Sequence, residues 1–552
     1  MSGDWGCLVA TRSAYPGFQP YEDERYALVV LGGPVFGDRP KETSPPQSDQ
    51  QYTKALLHRL VEAAGNLPDD LSGPFALAFV DKRESKVQIT SDWLGSIPLY
   101  QFKSGVKTMI GSHIGAIADV IGESNDVDWT SVAEFLINQV FTFPCTWFAN
   151  ISQFPPATRR TVVKSQPHID ESYWDSEEDL YQDFDAAAEH FRSVLQKYIF
   201  RVAQRSPKIA CFISGGEDSR VVASMLPADR DVMAVTYLDE WNREGRTAKR
   251  VADRLGFRHE WVQRARDFYI DLVDPFHSIE GPSGQYRHAH SIDLADKLEL
   301  QEQDAVFGAW CADARYKAYW SKLVPYTGLN KLRDPKLAPR MTNAPKAWSE
   351  ILDPEVLAEV QQRWDEHFRR VKSFRPTTAP EWFHTWPISR HNTSVLFRTS
   401  RRLYPSFEPF ISREALEVSR RLPVEWQLNR KFFHRMAQPL LKKTWDIPHA
   451  DGGYPYFSHK VNRPFRAWAV LDEISRRKLG LRLKPESRPW NDWPSTVRSE
   501  SWQRATEQAA TGKRLPILRK NVSLQAALND ESIPIFPRVN LYQIAQWLPP
   551  QS

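Results

Sequence analysis

Four cysteines in 552 residues, Cys7, Cys145, Cys211 and Cys311, are too few and too scattered for a disulfide framework. None stands in the Cys-x-x-Cys spacing that a zinc cage or a redox couple needs, so reduced thiols and a cytoplasmic location are expected. Excess charge is missing as well. Lys and Arg total 72 against 68 Asp and Glu, and the net +4 gives no electrostatic ground for nucleic acid or a membrane surface as a partner. No run approaches the ~18 apolar residues of a membrane span. Met1-Ser2-Gly3-Asp4-Trp5 lacks the basic-then-apolar order of a secretion signal. Any handling of anions must therefore be local. What the chain has in plenty is proline, 40 residues, and tryptophan, 20. Many lie after residue 340, as in Thr385-Trp386-Pro387 and Pro489-Trp490-Asn491-Asp492-Trp493-Pro494. These runs point to a loop-rich, aromatic-packed C-terminal part rather than to a saccharide platform.

The most informative stretch is Ala210-Cys211-Phe212-Ile213-Ser214-Gly215-Gly216-Glu217-Asp218-Ser219-Arg220. An apolar strand, a glycine pair and a helix-competent continuation present backbone N–H groups to an anion at a helix N-terminus. Gly215 and Gly216 remove the side chains that would hold backbone away from a pyrophosphate, while Ser214 and Ser219 can donate to phosphate oxygens. Asp218 would repel phosphate unless a divalent cation lay between them, which points to magnesium. The loop is neither a Walker A sequence nor a Gly-x-Gly-x-x-Gly turn.

Around this loop the chain divides by pattern. Residues 1 to about 165 hold short apolar runs at 26–31, 75–80 and 86–90 with a helix at 52–64, an α+β arrangement. A helix is expected over 185–202, then strands at 210–213, 232–237 and 257–262 separated by helices, the second of them 244–255. That alternation predicts a parallel sheet with right-handed crossovers and a ligand at the carboxyl ends of its strands.

The loop resembles the Ser-Gly-Gly-x-Asp-Ser pyrophosphatase loop of ATP-dependent adenylating enzymes of the asparagine synthetase type. Gly73 to Asp81 followed by Ser91-Asp92-Trp93-Leu94-Gly95-Ser96-Ile97-Pro98-Leu99-Tyr100 is similar to the central strands of the N-terminal-nucleophile glutaminase domain of class II amidotransferases. Gly111-Ser112-His113-Ile114, residues 143–157 and Ser172-Tyr173-Trp174 follow in that family's order. The resemblance implies an α/β protein. It implies an Ntn-hydrolase-like α+β sandwich over 1–165, a pyrophosphatase-loop parallel-sheet domain of the adenine nucleotide α-hydrolase type over 180–465, and a helical C-terminal extension over 466–552.

A working glutaminase needs cysteine directly after the initiator methionine, its free amine serving as base. Residue 2 is Ser2, Trp5 stands at the aligned nucleophile position, and Cys7 is internal. Leu31 to Asp38 replaces the family's Asn-Gly-Glu element, so the domain reads as a glutaminase relic kept for structure.

In the second domain the resemblance assigns Ser214, Gly215, Gly216, Asp218, Ser219 and Gly308 to nucleotide. It assigns Asp218 and Asp313 to magnesium, although Ala314 replaces the glutamate that follows the second aspartate. Arg315 and Lys317 either add positive charge near the phosphates or lie on the surface. Glu244, Ala248 and His259 match family positions, His259 without a chemical role. Arg401 stands where β-lactam-forming relatives have a catalytic glutamate, and His449 stands where the family has the lysine that stabilises the pentavalent phosphorus. His449 and, as a substitute cation upstream, Lys443 are the expected catalytic residues. The implied function uses ATP and Mg2+ to adenylate a small-molecule or peptide carboxylate and transfers the acyl group to an amine without glutamine, as β-lactam and lasso-peptide macrolactam synthetases do. An ammonia-using asparagine synthase and a non-catalytic nucleotide-binding scaffold are the alternatives, and a partner protein from the same pathway is expected.

Overall fold

The computed structural model describes the chain except residues 1, 4, 12–13, 16, 38–49, 105–106, 123–125, 164–165, 322–345, 480–491 and 549–552. Asp38 and Pro489-Trp490-Asn491 thus lie outside the described residues. In the first domain Tyr26–Gly32, Phe75–Asp81 and Lys86–Ser91 pair antiparallel, the last two across a short polar turn. Thr158–Val163, Ile169–Ser172 and Tyr21–Glu22 complete a six-stranded sheet. A second antiparallel sheet joins Lys107–Gly111, Tyr100–Ser104 and Ile151–Gln153. Phe75–Asp81 is covered on both faces, which explains its unbroken apolar sequence. Its start is fixed by the buried Asp92 carboxylate, which accepts N–H bonds from Phe75 at 3.0 Å, Leu94 at 3.1 Å and Ser96 at 2.8 Å.

The second domain begins with the helix Phe184–Ala203, capped by the Asp183 side chain on the Ala186 N–H. Its buried Ala188, Phe191, Val194, Leu195 and Ile199 repeat at helical spacing and cover the sheet that follows. That sheet has five parallel strands in the order Arg258–Gln263, Asp231–Leu238, Lys208–Phe212, Ala305–Phe307, Ser406–Phe407. Strand order reverses between Lys208–Phe212 and Ala305–Phe307. The loops that leave these two strands therefore open side by side at the carboxyl edge, where open α/β sheets bind ligands.

The C-terminal helices Glu500–Ala510, Leu524–Asn529 and Ile535–Trp547 share one apolar core with the first domain. Trp547 lies 5.3 Å from Trp147 and 6.2 Å from Phe135, ring centre to ring centre. Trp348, Trp364, Trp382, Trp493 and Trp502 are buried, so these tryptophans serve packing, as the loop-rich sequence suggested. No helix among the described residues is long and apolar enough to cross a membrane.

Candidate active site

The strand Lys208–Phe212 runs into the loop, and the helix Asp218–Ala223 starts directly after it. Ser219 organises the turn: its hydroxyl accepts the Ser214 N–H at 3.0 Å and lies 2.9 Å from Ser214 Oγ, which in turn accepts the Gly216 N–H at 3.1 Å. Among the described residues the N–H groups of Glu217, Asp218 and Ser219 bond to no acceptor in the chain. They are the orphan donors of a helix start, suited to phosphate oxygens.

Gly215 is required by contact: a methyl group there would sit 2.5 Å from Ala450 Cβ and 2.9 Å from Glu244 Oε2. One on Gly216 would press on Ser214 Oγ at 3.0 Å and sit at ordinary contact distance, 3.7 Å, from His449 Nε2. The Gly215 N–H donates to Glu244 Oε1 at 2.7 Å, so one loop amide expected to face phosphate is held by a carboxylate instead. Burial pushes Glu244 up to about 7, against the pull of that N–H. Ala450 N donates to Gly215 O at 3.0 Å, which docks the 447–455 segment onto the phosphate loop. The fully buried Arg220 secures the same segment by donating to Ile447 O at 2.7 Å and Pro448 O at 3.0 Å. Asn462 closes its far end, accepting from Tyr454 N and donating to Tyr454 O, each at 2.6 Å.

His449 is thereby set beside Gly216. Its Nδ1 accepts the Asp451 N–H at 3.0 Å, leaving Nε2 to carry the proton. Burial, reinforced by the charges of Arg430, Arg466, Arg220 and Lys317, holds the imidazole well below its ordinary range and keeps it neutral. Lys443 is different, and the expectation for it is corrected. It is exposed, and its carbonyl accepts from Arg254 near the end of the helix Arg243–Leu255. Ten residues of that helix, about 15 Å, separate Arg254 from Glu244 at the phosphate loop.

Asp218 and Asp313 do come together, and what they share is the ammonium of Lys317. Lys317 Nζ bonds to Asp218, lies 2.8 Å from Asp313 Oδ1 and 3.6 Å from Glu217 Oε2, and sits 4.3 Å over the Phe433 ring. Arg430 binds the other oxygen of Glu217. Burial raises the Asp218 carboxyl, with Asp313 and Glu217 adding to the effect while Lys317 opposes it; the three carboxylates raise Lys317 despite its burial. As arranged, the pair does not fit a magnesium ion, because an ammonium fills the point both carboxylates reach.

Gly308 lies at the end of Ala305–Phe307, and a methyl group there would fall 2.1 Å from Glu408 Oε1. Glu408, buried, accepts the Trp310 N–H at 2.7 Å and is pushed by desolvation up to about 8. Sequence reasoning missed this residue. The signal available was a lone acid inside the apolar run Phe407-Glu408-Pro409-Phe410. Arg401 is also placed differently from the expectation. It donates to Ser406 O and to Gly32 O, each at 2.7 Å, and packs on Gly33 of the first domain, joining the two domains rather than facing the loop. Cys7 is exposed in a two-residue strand pairing with Ser2–Gly3.

An antiparallel amidotransferase-like domain followed by a parallel-sheet domain of the adenine nucleotide hydrolase type is the class that fold and site define. Residues 15–174 match the glutamine amidotransferase domain and residues 190–444 match asparagine synthase. The part of the chain that carries the glycine loop is thus similar to the asparagine synthase family, with an amidotransferase-like part before it. Asparagine synthetase (glutamine-hydrolyzing) 3 of Bacillus subtilis (strain 168) is 30% identical over 175 residues, 31% of this chain and 28% of that protein. Asparagine synthetase (glutamine-hydrolyzing) 2 of the same organism is 22% identical over 243 residues, 41% of this chain and 32% of that protein. The matched segments span about a third of the length of these relatives. The solved structure of NH3-dependent NAD synthetase from Campylobacter jejuni matches 34% of this chain and 95% of its own at 14% identity and a TM-score of 0.18, too low to bear on the fold.

Proposed function

We propose that the chain is an ATP-dependent amide-forming ligase that joins a carboxylate to AMP, releases pyrophosphate and passes the acyl group to an amine without hydrolysing glutamine. The observation that carries this reading is the meeting of the two strand-end loops at the switch point of the sheet, with free N–H groups at 217–219 and glycines that a side chain would displace. Ser214, Gly215, Gly216, Ser219 and Gly308 would line the nucleotide, with the orphan N–H groups taking the pyrophosphate. His449, neutral and with its proton on Nε2, would donate one hydrogen bond to the oxygen on which charge develops. The fixed positive charge comes from Arg430, Arg466, Arg220 and Lys317, all near enough to depress His449. No step is assigned to Lys443.

Arg401, bonded to Gly32 and packed on Gly33 in the segment that replaces the glutamine-holding element, supports a reaction that takes its amine directly. A small molecule or a peptide supplies the carboxylate, and the amine is carried by the substrate or arrives as ammonia. ATP–pyrophosphate exchange, screened over carboxylate pools, tests the reading. Exchange is expected in the wild type and lost in Asp218→Ala; a wild type inactive with every pool would favour a nucleotide-binding scaffold.

A further inference from the structure

The two loops bring three carboxylates to one place. Glu217 and Asp218 come from the first loop, Asp313 from the second, and all three face Lys317 Nζ. Asp313 and Lys317 are four residues apart around a helical turn, the spacing that puts both on one face. The ammonium is confined: the Lys317 side chain is 9% exposed, with carboxylates around it and the Phe433 ring beneath. Arg430 answers the remaining oxygen of Glu217.

A divalent ion bound to both aspartates would have to lie within roughly 2.1 Å of an oxygen of each. Lys317 Nζ already occupies the space between those oxygens, bonded to Asp218 and 2.8 Å from Asp313. Metal and ammonium cannot both be there. Expelling Lys317 would strand a buried cation or force it through the packing of Phe433, while keeping it leaves a second cation next to a doubly charged one.

We infer that Lys317 is the resident cation of this site, standing in the position where the resemblance predicts a protein-held magnesium ion, so that Asp218 and Asp313 bind no metal in this chain. Asp218 then faces the nucleotide with its charge already compensated by the protein. Lys317 is a positioning residue for the loop carboxylates. Any metal that accompanies a nucleotide is held by the phosphates rather than by this pair. The inference concerns the free protein and does not depend on the proposed ligation.

Mn2+ alone, titrated into the full-length protein and followed by the loss of its free electron paramagnetic resonance signal, tests it without nucleotide or turnover. Wild type and Asp313→Asn are expected to give the same titration, because neither holds a metal there. Lys317→Met is expected to gain one Mn2+ per chain, and Lys317→Met with Asp218→Asn to lose it again. A wild-type site of one Mn2+ per chain that disappears in Asp313→Asn would overturn the inference, as would a folded Lys317→Met that binds no more Mn2+ than wild type. Should Lys317→Met fail to fold, the comparison of wild type with the exposed-site variant Asp313→Asn decides.

Discussion

Glu408→Gln isolates a buried charge whose cost can be worked out. Glu408 is buried beside Gly308, and its carboxylate accepts a hydrogen bond from the Trp310 N–H. Burial carries its carboxyl from an ordinary 4.5 to about 8, so ionising it in place costs about 5 kcal/mol. Between those values the folded protein keeps a proton that the unfolded chain has released. Stability contributed at this site is therefore intact at low pH, falls as pH rises through the window, and levels off above about 8. Glutamine keeps the acceptor for Trp310 and cannot ionise. Urea unfolding of both proteins from about pH 5 to about pH 9 should show the variant gaining on the wild type with pH, by a few kcal/mol at the alkaline end. The other raised carboxyls, Glu244 and Glu381 at about 7, Asp92 at about 6, and Asp218 and Asp271, titrate in both proteins and drop out of the difference. A difference that stays flat with pH would mean Glu408 is ionised throughout, and the apolar setting assigned to it would be wrong.

Gly215→Ala should weaken ATP binding about tenfold or more, since the added methyl meets Ala450 at 2.5 Å and overpacking of this kind costs about 1–3 kcal/mol; calorimetric titration checks it. Arg220→Met leaves the carbonyls of Ile447 and Pro448 without their donor, so a loss of about 2–5 kcal/mol is expected in unfolding experiments, together with loss of pyrophosphate exchange. Cys7→Ser should leave exchange and amine-dependent ligation unchanged; a loss confined to glutamine-supported turnover would restore the glutaminase.

Strands and helices were legible where periodicity or an apolar run had to be buried. The runs at 26–31, 75–80 and 86–90 became Tyr26–Gly32, Phe75–Asp81 and Lys86–Ser91, and the helix expected at 185–202 is Phe184–Ala203. The strand, glycine turn and helix at 208–223 were legible because an apolar run, a glycine pair and a helix-competent segment follow one another in the sequence. Contacts between distant parts of the chain were not. Glu408 and Trp310 are 98 residues apart, and the docking of the 447–455 segment through Arg220 has no local signature. Lys317 left two readings open in sequence, surface charge or phosphate neighbour, and in the structure it faces the loop carboxylates. Closeness along the chain to His449 did not foretell that the Lys443 carbonyl is bound by Arg254, near the end of Arg243–Leu255 away from Glu244. The C-terminal helices carry no motif, and only their packing, Trp547 against Trp147 and Phe135 and Asn540 and Gln543 bonded to Gln285 and Gly284, reveals that they join both domains.

Calorimetric titration of ATP into wild type and Ser219→Ala, repeated in the presence of pyrophosphate, tests the central claim most directly. Ser219 Oγ holds the turn through Ser214, so removing it should weaken ATP binding by about tenfold, the equivalent of one good hydrogen bond, and pyrophosphate should compete with ATP for the wild type. Equal affinity in the two proteins, or binding that pyrophosphate leaves untouched, would contradict the assignment of this loop to the nucleotide.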